Sequence, residues 1–286
     1  MFNTAAIKLA AEFEIPIFYF DRTGNLLAQL RGPTFLKQSR LRQQQMHFMH
    51  SENGKKWILR QIGLKTDLQM QTIARYSRKT PKASLRLEKC LQTLSIKKEI
   101  LFQTVLNQTN FGNTIMGIEG GIAREYYKAL NFILPEKYQF EKRSKRPGAD
   151  YFNAAINYMY GMTYGEITKA IHAAGLDTFV GGLHTTPFKE NLVFDCIEPF
   201  RPIIDRLLIE MCRDELLEEK HFKQHKTGFW LSKPGKRLII QKYTTYLWQR
   251  IKLEDSLKPI QHHLYAQVKK LKMEIQNSTP HVPYSI

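Results

Sequence analysis

Hydrophobic and polar positions along the chain predict a short mixed segment followed by a long helical region. Near the N-terminus, Asn3 or Thr4 precedes AAIKLAAEF, whose apolar residues recur at helical spacing, so a capped helix is expected. The β-branched and aromatic run Ile15–Phe20 predicts a strand, turn residues follow at 21–25, and LLAQL predicts a second strand. One helix and two strands are too little to close a sheet core, so the strands pair elsewhere or the beginning of a domain is missing.

Beyond a linker at Gly32-Pro33, helical periodicity dominates the chain. Helices are predicted at about 35–51, 55–77, 82–107, 111–134, 148–174, 201–219 and 240–275. The segment 222–240 contains two glycines and a proline and predicts a hairpin or a mobile loop. The predicted fold is therefore α+β and mostly α, with residues 1–32 as the remnant of an N-terminal β-domain and residues 33–280 as an α-helical domain.

The charge of the chain points to a polyanionic partner. The 286 residues include 43 Lys and Arg against 26 Asp and Glu, a net charge of +17. Such an excess suits nucleic acid first and an anionic membrane surface second. A basic protein with no nucleic-acid role is the alternative that charge alone leaves open.

Cysteine usage and hydropathy bear on the compartment. Cys90, Cys196 and Cys212 are far apart and form no CxxC pair, which argues against a disulfide framework or a zinc finger and predicts buried thiols. The N-terminus lacks the pattern of a signal peptide. The longest charge-free run, Ile100–Ile118, is rich in Gln, Asn and Thr and is too polar for a membrane span. A cytoplasmic protein without a membrane partner is expected.

Glu119 lies in a helical pattern that is unusually rich in glycine. Gly117, Gly120 and Gly121 surround it, and each glycine costs a helix about 1 kcal/mol relative to alanine. Such a cluster predicts that another backbone or a ligand approaches closely at this point. A tight helix crossing beside a solvated glutamate explains the same pattern.

One histidine and two further acids follow in the second half of the chain. His184 comes after a Gly-Gly pair, and Asp195 and Glu198 stand three residues apart just before a helix start marked by Pro199. An imidazole and several carboxylates form the hard, mixed ligand set that holds Mg²⁺ or Mn²⁺. A structural role for His184 and a helix-capping role for the acids remain open.

Basic clusters are spread along the helical region. A single cluster is usually a solvated face, but several with interleaved Trp57, Tyr76, Phe229 and Trp230 indicate phosphate contacts and base stacking. The predicted DNA-binding residues are Arg75, Arg78, Lys79, Lys82, Arg86, Lys142, Arg143, Lys145 and Arg146.

Four motifs, in order, resemble the CRISPR-associated integrase family Cas1, the catalytic subunit of spacer acquisition. They are GIEGGIAREYY, RPGADYFNAAINYMYGMTYGEI, AAGLDTFVGGLH and LVFDCIEPFRP. The resemblance implies an N-terminal β-sandwich-like domain and an α-helical catalytic domain. It also implies homodimers bridged by the small ferredoxin-like second adaptation protein, acting on double-stranded protospacer and leader–repeat DNA.

The resemblance further assigns roles to individual residues. It implies that Glu119, His184 and Glu198 hold the metal ion, that Asp195 is a neighbouring acid supporting the site, and that Tyr164 meets the DNA near the reacting end. Family members carry several strands before the first helix found here. Phe18, Tyr19 and Phe20 are therefore expected to expose apolar surface, and aggregation or weak dimerisation of residues 1–286 is expected until upstream coding sequence is restored.

The implied activity is metal-dependent transesterification, in which a 3′-hydroxyl of spacer DNA attacks a phosphodiester of the CRISPR array. A second hypothesis is a non-catalytic basic DNA-binding subunit, which metal-dependent turnover on branched DNA would exclude. A third, a helical metallohydrolase of small molecules, is disfavoured by the charge and by the absence of HExxH spacing.

Overall fold

The computed structural model describes residues 3–13, 15–20, 26–32, 38–78, 83–104 and 110–278. Its helices are α1 (Thr4–Glu12), α2 (Ser39–His50), α3 (Glu52–Ser77), α4 (Ser84–Phe102), α5 (Phe111–Ile133), α6 (Tyr151–Ala174), α7 (Asn191–Ile197), α8 (Arg201–Arg213), α9 (Lys233–Leu247) and α10 (Ile260–Ser278). Its strands are β1 (Ile17–Phe20), β2 (Leu26–Leu30), β3 (Phe222–His225), β4 (Gly228–Leu231), β5 (Arg250–Leu253) and β6 (Ser256–Pro259). The predicted fold class, α+β and mostly α, is confirmed.

Several predicted features lie outside the described residues. They are the turn at 21–25, Pro33, the predicted helical residues 35–37, 82 and 105–107, the basic residues Lys79 and Lys82, the side chain of Phe20, and the tail from 279.

By its contacts the chain divides into two compact units. The first unit comprises Met1–Lys55, Gly161–Cys196 and His262–Ile286, and the second comprises Lys56–Tyr160 and Ile197–Gln261. The domain boundary expected between residues 32 and 33 stays a prediction.

The N-terminal part of the first unit contains the predicted capped helix and hairpin. The Asn3 side chain accepts a hydrogen bond from the second residue of α1, and β1 pairs with β2 antiparallel. Phe18 stacks on His172 with ring centroids 5.5 Å apart, so it is half-buried, as is Tyr19. The expectation that these two rings are exposed is therefore wrong. The exposed apolar surface lies instead at Phe13 and Leu27, which are both 68% exposed.

A buried glutamine anchors the loop that follows α6 in the first unit. The Gln45 side chain of α2 is fully buried and donates to the carbonyls of Asp177 and Val180 at 2.8 and 2.9 Å. It also accepts a hydrogen bond from the Asp177 amide at 2.9 Å. These three bonds satisfy backbone groups that a loop cannot pair by itself, and so fix the segment leading to His184.

The second unit packs its helices around apolar stripes. In α5 the residues Ile115, Ile122 and Tyr126 are fully buried, as their spacing predicts. Arg206 of α8 reaches across to α3 and donates to the Thr72 hydroxyl at 2.7 Å. The helices that carry the candidate site of this unit are thus held by both apolar and polar contacts.

The prediction of one continuous helix over 240–275 is wrong, because a hairpin interrupts this segment. α9 ends at Leu247, and β5 and β6 form an antiparallel pair before α10 begins. The intervening RIKL and SLKP alternate in character, and Glu254 adopts a left-handed φ of 51° in the turn between them. The segment 222–240, predicted as a hairpin or a mobile loop, forms the β3–β4 hairpin only up to Leu231, and α9 begins at Lys233.

The predicted burial of the three cysteines is confirmed. Cys90, Cys196 and Cys212 are buried free thiols. Burial raises the pKa of the Cys196 thiol well above its usual range. Of the helices in the described ranges, none combines the length and the apolar character that crossing a bilayer requires.

Candidate active site

Two of the predicted acids share one cation in the second unit. Lys65 of α3 donates from its Nζ to Oε2 of Glu198 at 2.5 Å and also to Oε1 of Glu119 in α5. The Lys65 and Glu198 side chains are only 5% and 6% exposed, and that of Glu119 is 26% exposed. The fold therefore brings together two acids that lie 79 residues apart in sequence.

The environment of Lys65 keeps it charged. Burial lowers the pKa of its ammonium, but the carboxylates of Glu198 and Glu119 raise this pKa by more, so it lies above its usual value. Lys65 is consequently a permanent positive charge near neutral pH.

Sequence reasoning missed Lys65, although a signal exists. The inward stripe of α3 runs through Ile58, Ile62, Lys65, Gln69 and Thr72, all of them buried. Lysine is almost never fully buried unless it is paired. A lysine in phase with this stripe therefore predicts an acidic partner in the core.

Arg201 supplies a second cation to Glu198. A single 3₁₀ turn, Glu198–Phe200, precedes α8, and it places the Arg201 Nε 3.0 Å from Oε1 of Glu198. The guanidinium lies 4.8 Å from the ring centre of Tyr160, whose hydroxyl donates to Oδ1 of the buried Asp205 at 2.5 Å. A series of polar and cation–π contacts therefore links Glu198 through Arg201 and Tyr160 to Asp205.

Asp195 and His184 form a separate group in the first unit. Asp195 accepts hydrogen bonds from the amides of Gly182, Leu183 and His184 at 2.7, 3.2 and 3.1 Å, and its Oδ1 lies 2.7 Å from Nδ1 of His184. Its side chain is only 2% exposed. Asp195 thus organises a loop rather than capping a helix start, because it lies near the end of α7.

The contact with Asp195 determines which ring nitrogen of His184 carries the proton. A carboxylate facing Nδ1 favours the tautomer with its proton on that nitrogen, so Nε2 carries the lone pair. Metal-binding histidines in proteins are commonly held by a carboxylate in this way. Phe194 packs edge-on against both His184 and Tyr164, with ring centroids 5.7 and 5.4 Å apart. The Tyr164 role that the resemblance implies stays a prediction.

The glycines around Glu119 have no backbone against them. A Cβ added at Gly117 or Gly120 would meet nothing within 4 Å, and one at Gly121 would meet the Lys97 Nζ at 3.1 Å. The expectation that another backbone comes close is therefore wrong within the described residues. The ligand alternative stays open, since the glycines leave a bare helix surface beside the acid.

Several of the predicted DNA-binding residues already have protein partners. Arg75 pairs with Glu210 at 3.0 Å, and Arg146 donates to the carbonyl of Asn157 at 3.1 Å. Arg143 donates to the side chains of Asn153 and Asn157 and lies over two tyrosine rings. Their contact with DNA stays a prediction, with Arg143 the most engaged within the protein.

The other predicted contacts differ in exposure. Arg78, Lys142 and Lys145 are exposed. Arg86 lies over the Phe132 ring at 5.4 Å and lines an open cleft of about 740 Å³.

The aromatic residues that were expected to interleave with these basic residues divide into two groups. Trp57 and Tyr76 are buried, with 2% exposure each, so their predicted stacking role is wrong. Phe229 packs against Tyr151, whereas Trp230 is 45% exposed.

The donor groups fit a hard divalent cation. Two carboxylates already share one cation between them, and oxygen donors of this kind suit Mg²⁺ or Mn²⁺. Within the part of the chain that the structure describes, no three His, Cys, Asp or Glu side chains form a ready metal cluster. The complete ligand set of Glu119, His184 and Glu198 therefore stays a prediction.

Comparison with known proteins shows which family the chain matches. The family described as "CRISPR associated protein Cas1" matches residues 1–245. A CRISPR-associated endonuclease Cas1 of Thermotoga maritima is 25% identical over 252 residues, covering 87% of this chain and 74% of that protein.

Two solved structures have the same fold. One is a casposase bound to its integration product, with 23% identity, a TM-score of 0.74, and coverage of 97% of this chain and 80% of the other. The second is a Cas6-RT-Cas1–Cas2 complex, with 24% identity, a TM-score of 0.77, and coverage of 97% and 30%. Because the family match spans most of its length, the chain belongs to the Cas1 family of CRISPR-associated proteins.

Proposed function

We propose that this chain is a DNA integrase and endonuclease of CRISPR adaptation, which inserts spacer DNA into the array by metal-dependent transesterification. The single observation that carries the proposal is the carboxylate pair Glu119 and Glu198 around one shared, buried cation, in a chain of the Cas1 family. The names of its relatives, an endonuclease and a casposase bound to integration product, support the same chemistry.

The reaction exchanges one phosphodiester bond for another. The 3′-oxygen of the spacer strand forms a bond to phosphorus at the leader–repeat junction, and the bond to the leader 3′-oxygen breaks. The proton of the attacking hydroxyl ends on the leaving oxygen, so atoms and charge balance without a cofactor being consumed. Little covalent work is left for the protein beyond positioning and charge stabilisation.

Different residues of the chain would bind the metal ion, orient its ligands and seat the DNA. Glu119 and Glu198 would hold Mg²⁺ or Mn²⁺ together with His184, the third ligand that the family resemblance implies. The bound ion would polarise the phosphoryl oxygens and lower the pKa of the attacking hydroxyl. Asp195 orients His184 through its Nδ1, and Arg201 holds the Glu198 carboxylate in place. Tyr164 would seat the reacting DNA end.

The proposed partners are double-stranded DNA, a second copy of this chain and a Cas2 protein. The net charge of +17 favours binding to DNA. The solved complex of a structurally similar Cas1 with Cas2 supports the protein partner, and the casposase bound to its product supports the DNA substrate.

A strand-transfer assay tests this function. The chain and its Cas2 partner would be incubated with a labelled spacer duplex and a plasmid bearing the leader and repeat. We expect joined products with Mn²⁺ or Mg²⁺, and none with a chelator or with a spacer ending in a 3′-deoxynucleotide. DNA binding without joined product under every metal condition would instead favour the non-catalytic DNA-binding subunit.

A further inference from the structure

The charges around Glu198 cancel before any metal ion arrives. Glu119 and Glu198 contribute two negative charges, and Lys65 and Arg201 contribute two positive charges in direct contact with them. The two cations divide the oxygens of Glu198, with Lys65 on Oε2 and Arg201 on Oε1. The carboxylate pair is therefore already neutralised in the structure.

We infer that Lys65 is the resident counter-ion of this pair and that a divalent ion must displace its ammonium to bind. The inference rests on the proposed function, in which Glu119 and Glu198 hold the metal ion. Lys65 is thus a positioning residue, because it acts on the two carboxylates rather than on the reacting atoms.

Geometry makes the ammonium and the metal ion competitors. The Lys65 Nζ lies between Oε1 of Glu119 and Oε2 of Glu198 and bonds to both. A divalent ion bound by the same two oxygens would face a positive charge at van der Waals distance, which electrostatic repulsion disfavours. Lysine has a flexible four-carbon stem and donors that rotate freely, so its head group can leave while its backbone stays in α3.

The same contacts give Lys65 a role when no metal is bound. Two carboxylates brought together in a largely buried place repel each other unless a cation lies between them. Lys65 supplies that cation from α3, so the carboxylates remain close together. The acids thus keep their position before the metal ion arrives.

The test measures metal affinity rather than turnover. Mn²⁺ binding to the full chain without DNA would be measured by calorimetry and by electron paramagnetic resonance, for wild type, Lys65→Gln and Lys65→Met. Lys98→Gln is the matched control, because Lys98 lies in the same unit and pairs with Asp67 at 2.6 Å rather than with Glu119 or Glu198.

Removal of the competing ammonium should tighten Mn²⁺ binding by at least about tenfold, whereas Lys98→Gln should leave it unchanged. The metal-free melting temperature of both Lys65 variants should fall, and Mn²⁺ should restore it more strongly than in wild type. A merely structural lysine would lower the melting temperature without tightening the metal affinity.

The outcomes separate the inference from the proposed function. Unchanged or weaker Mn²⁺ binding in the Lys65 variants, with wild-type strand transfer intact, overturns the inference alone. Tighter binding in a chain that transfers no strand under any condition supports the inference and overturns the integrase activity. If neither the wild type nor the variants bind Mn²⁺, both the inference and the proposed function are contradicted.

A measurement on the wild-type protein avoids variants that fail to fold. Among the described lysines, Lys65 is the one that is buried, so its ¹⁵N-labelled ammonium should exchange protons slowly and give its own NMR signal. Titration with Mg²⁺ should shift or abolish this signal as the site fills. A signal that persists unchanged at metal saturation would overturn the displacement.

Discussion

Asp195 and Glu198 stand three residues apart and have opposite environments. Asp195 is surrounded by backbone amides and one imidazole, whereas Glu198 is surrounded by the side-chain cations Lys65 and Arg201. Backbone donors are fixed by the fold and cannot be exchanged, but a side-chain cation can move away. The difference assigns Asp195 to the architecture of a loop and makes Glu198 available to another cation.

Replacement of Glu198 should have the largest effect. Glu198→Gln keeps the volume but loses the charge that attracts a metal ion, so strand transfer should fall by about 10³-fold or more while the protein still folds. Glu210→Gln is the matched control, since Glu210 pairs with Arg75 nearer the surface. Activity within tenfold of wild type would contradict the assignment of Glu198 as a ligand.

Replacement of Asp195 should act mainly through stability. In Asp195→Asn the amide group must face two N–H donors whichever way it turns, and stranded buried donors cost about 1–3 kcal/mol each. We expect the free energy of unfolding to fall by about 4 kcal/mol in urea denaturation. Strand transfer should fall with it and recover in part at lower temperature. Full stability with abolished activity would make Asp195 a direct participant.

A third acid, Asp205, provides a contrast because, among the residues that the structure describes, no cation forms a salt bridge with it. Burial raises the pKa of Asp205 to about 6 from its usual 3.8, while the Tyr160 hydroxyl, Arg143 and Arg201 lower it. The folded state therefore binds the proton more tightly than the unfolded state. The stabilisation that protonation provides is fully present below about pH 4 and lost as the pH rises through about 6.

Asp205→Asn should remove this pH dependence. Two pKa units correspond to about 3 kcal/mol, so the variant should gain roughly that much on wild type between about pH 3 and about pH 7. Urea unfolding at four pH values measures the difference. Parallel stability curves for the two proteins would show that the carboxyl group is not desolvated as the structure indicates.

The smallest effect concerns the bare surface beside Glu119. Gly120→Ala adds a methyl group that meets no atom, so the free energy of unfolding should rise by about 1 kcal/mol. Strand transfer should fall several-fold if the DNA backbone passes over this surface. Gly112→Ala, equally open but two turns earlier in α5, should not affect it. Equal activity in both variants would remove the glycine surface from the DNA path.

Much of the fold and part of the site could be predicted from local pattern. Periodicity placed most helices, and the β-branched run and turn residues placed the first hairpin. The pattern failed at Glu254, because a left-handed turn depends on the backbone and leaves little trace in hydrophobic spacing. Hydrophobic spacing alone therefore predicts a continuous helix across the mixed RIKL and SLKP segments.

The site itself required long-range information. Glu119, His184, Asp195 and Glu198 stood out by residue type and motif, but Lys65 did not, since its partners lie 54 and 133 residues further along the chain. The role of Asp195 was equally hidden, because its partners are backbone amides that any sequence possesses. Residue type identifies candidates, and only packing shows which groups neutralise them.

If a divalent ion displaces Lys65 as inferred, the tether between the Lys65 ammonium and α3 would make the carboxylate pair selective among free cations. Na⁺ or K⁺ would exchange one positive charge for another, against a competitor whose tether gives it a high effective concentration. A divalent ion brings an additional charge to the same oxygens, so its attraction to them is stronger. The pair would thus discriminate by charge before it discriminates by size, and the lysine of the protein itself would exclude the monovalent ions.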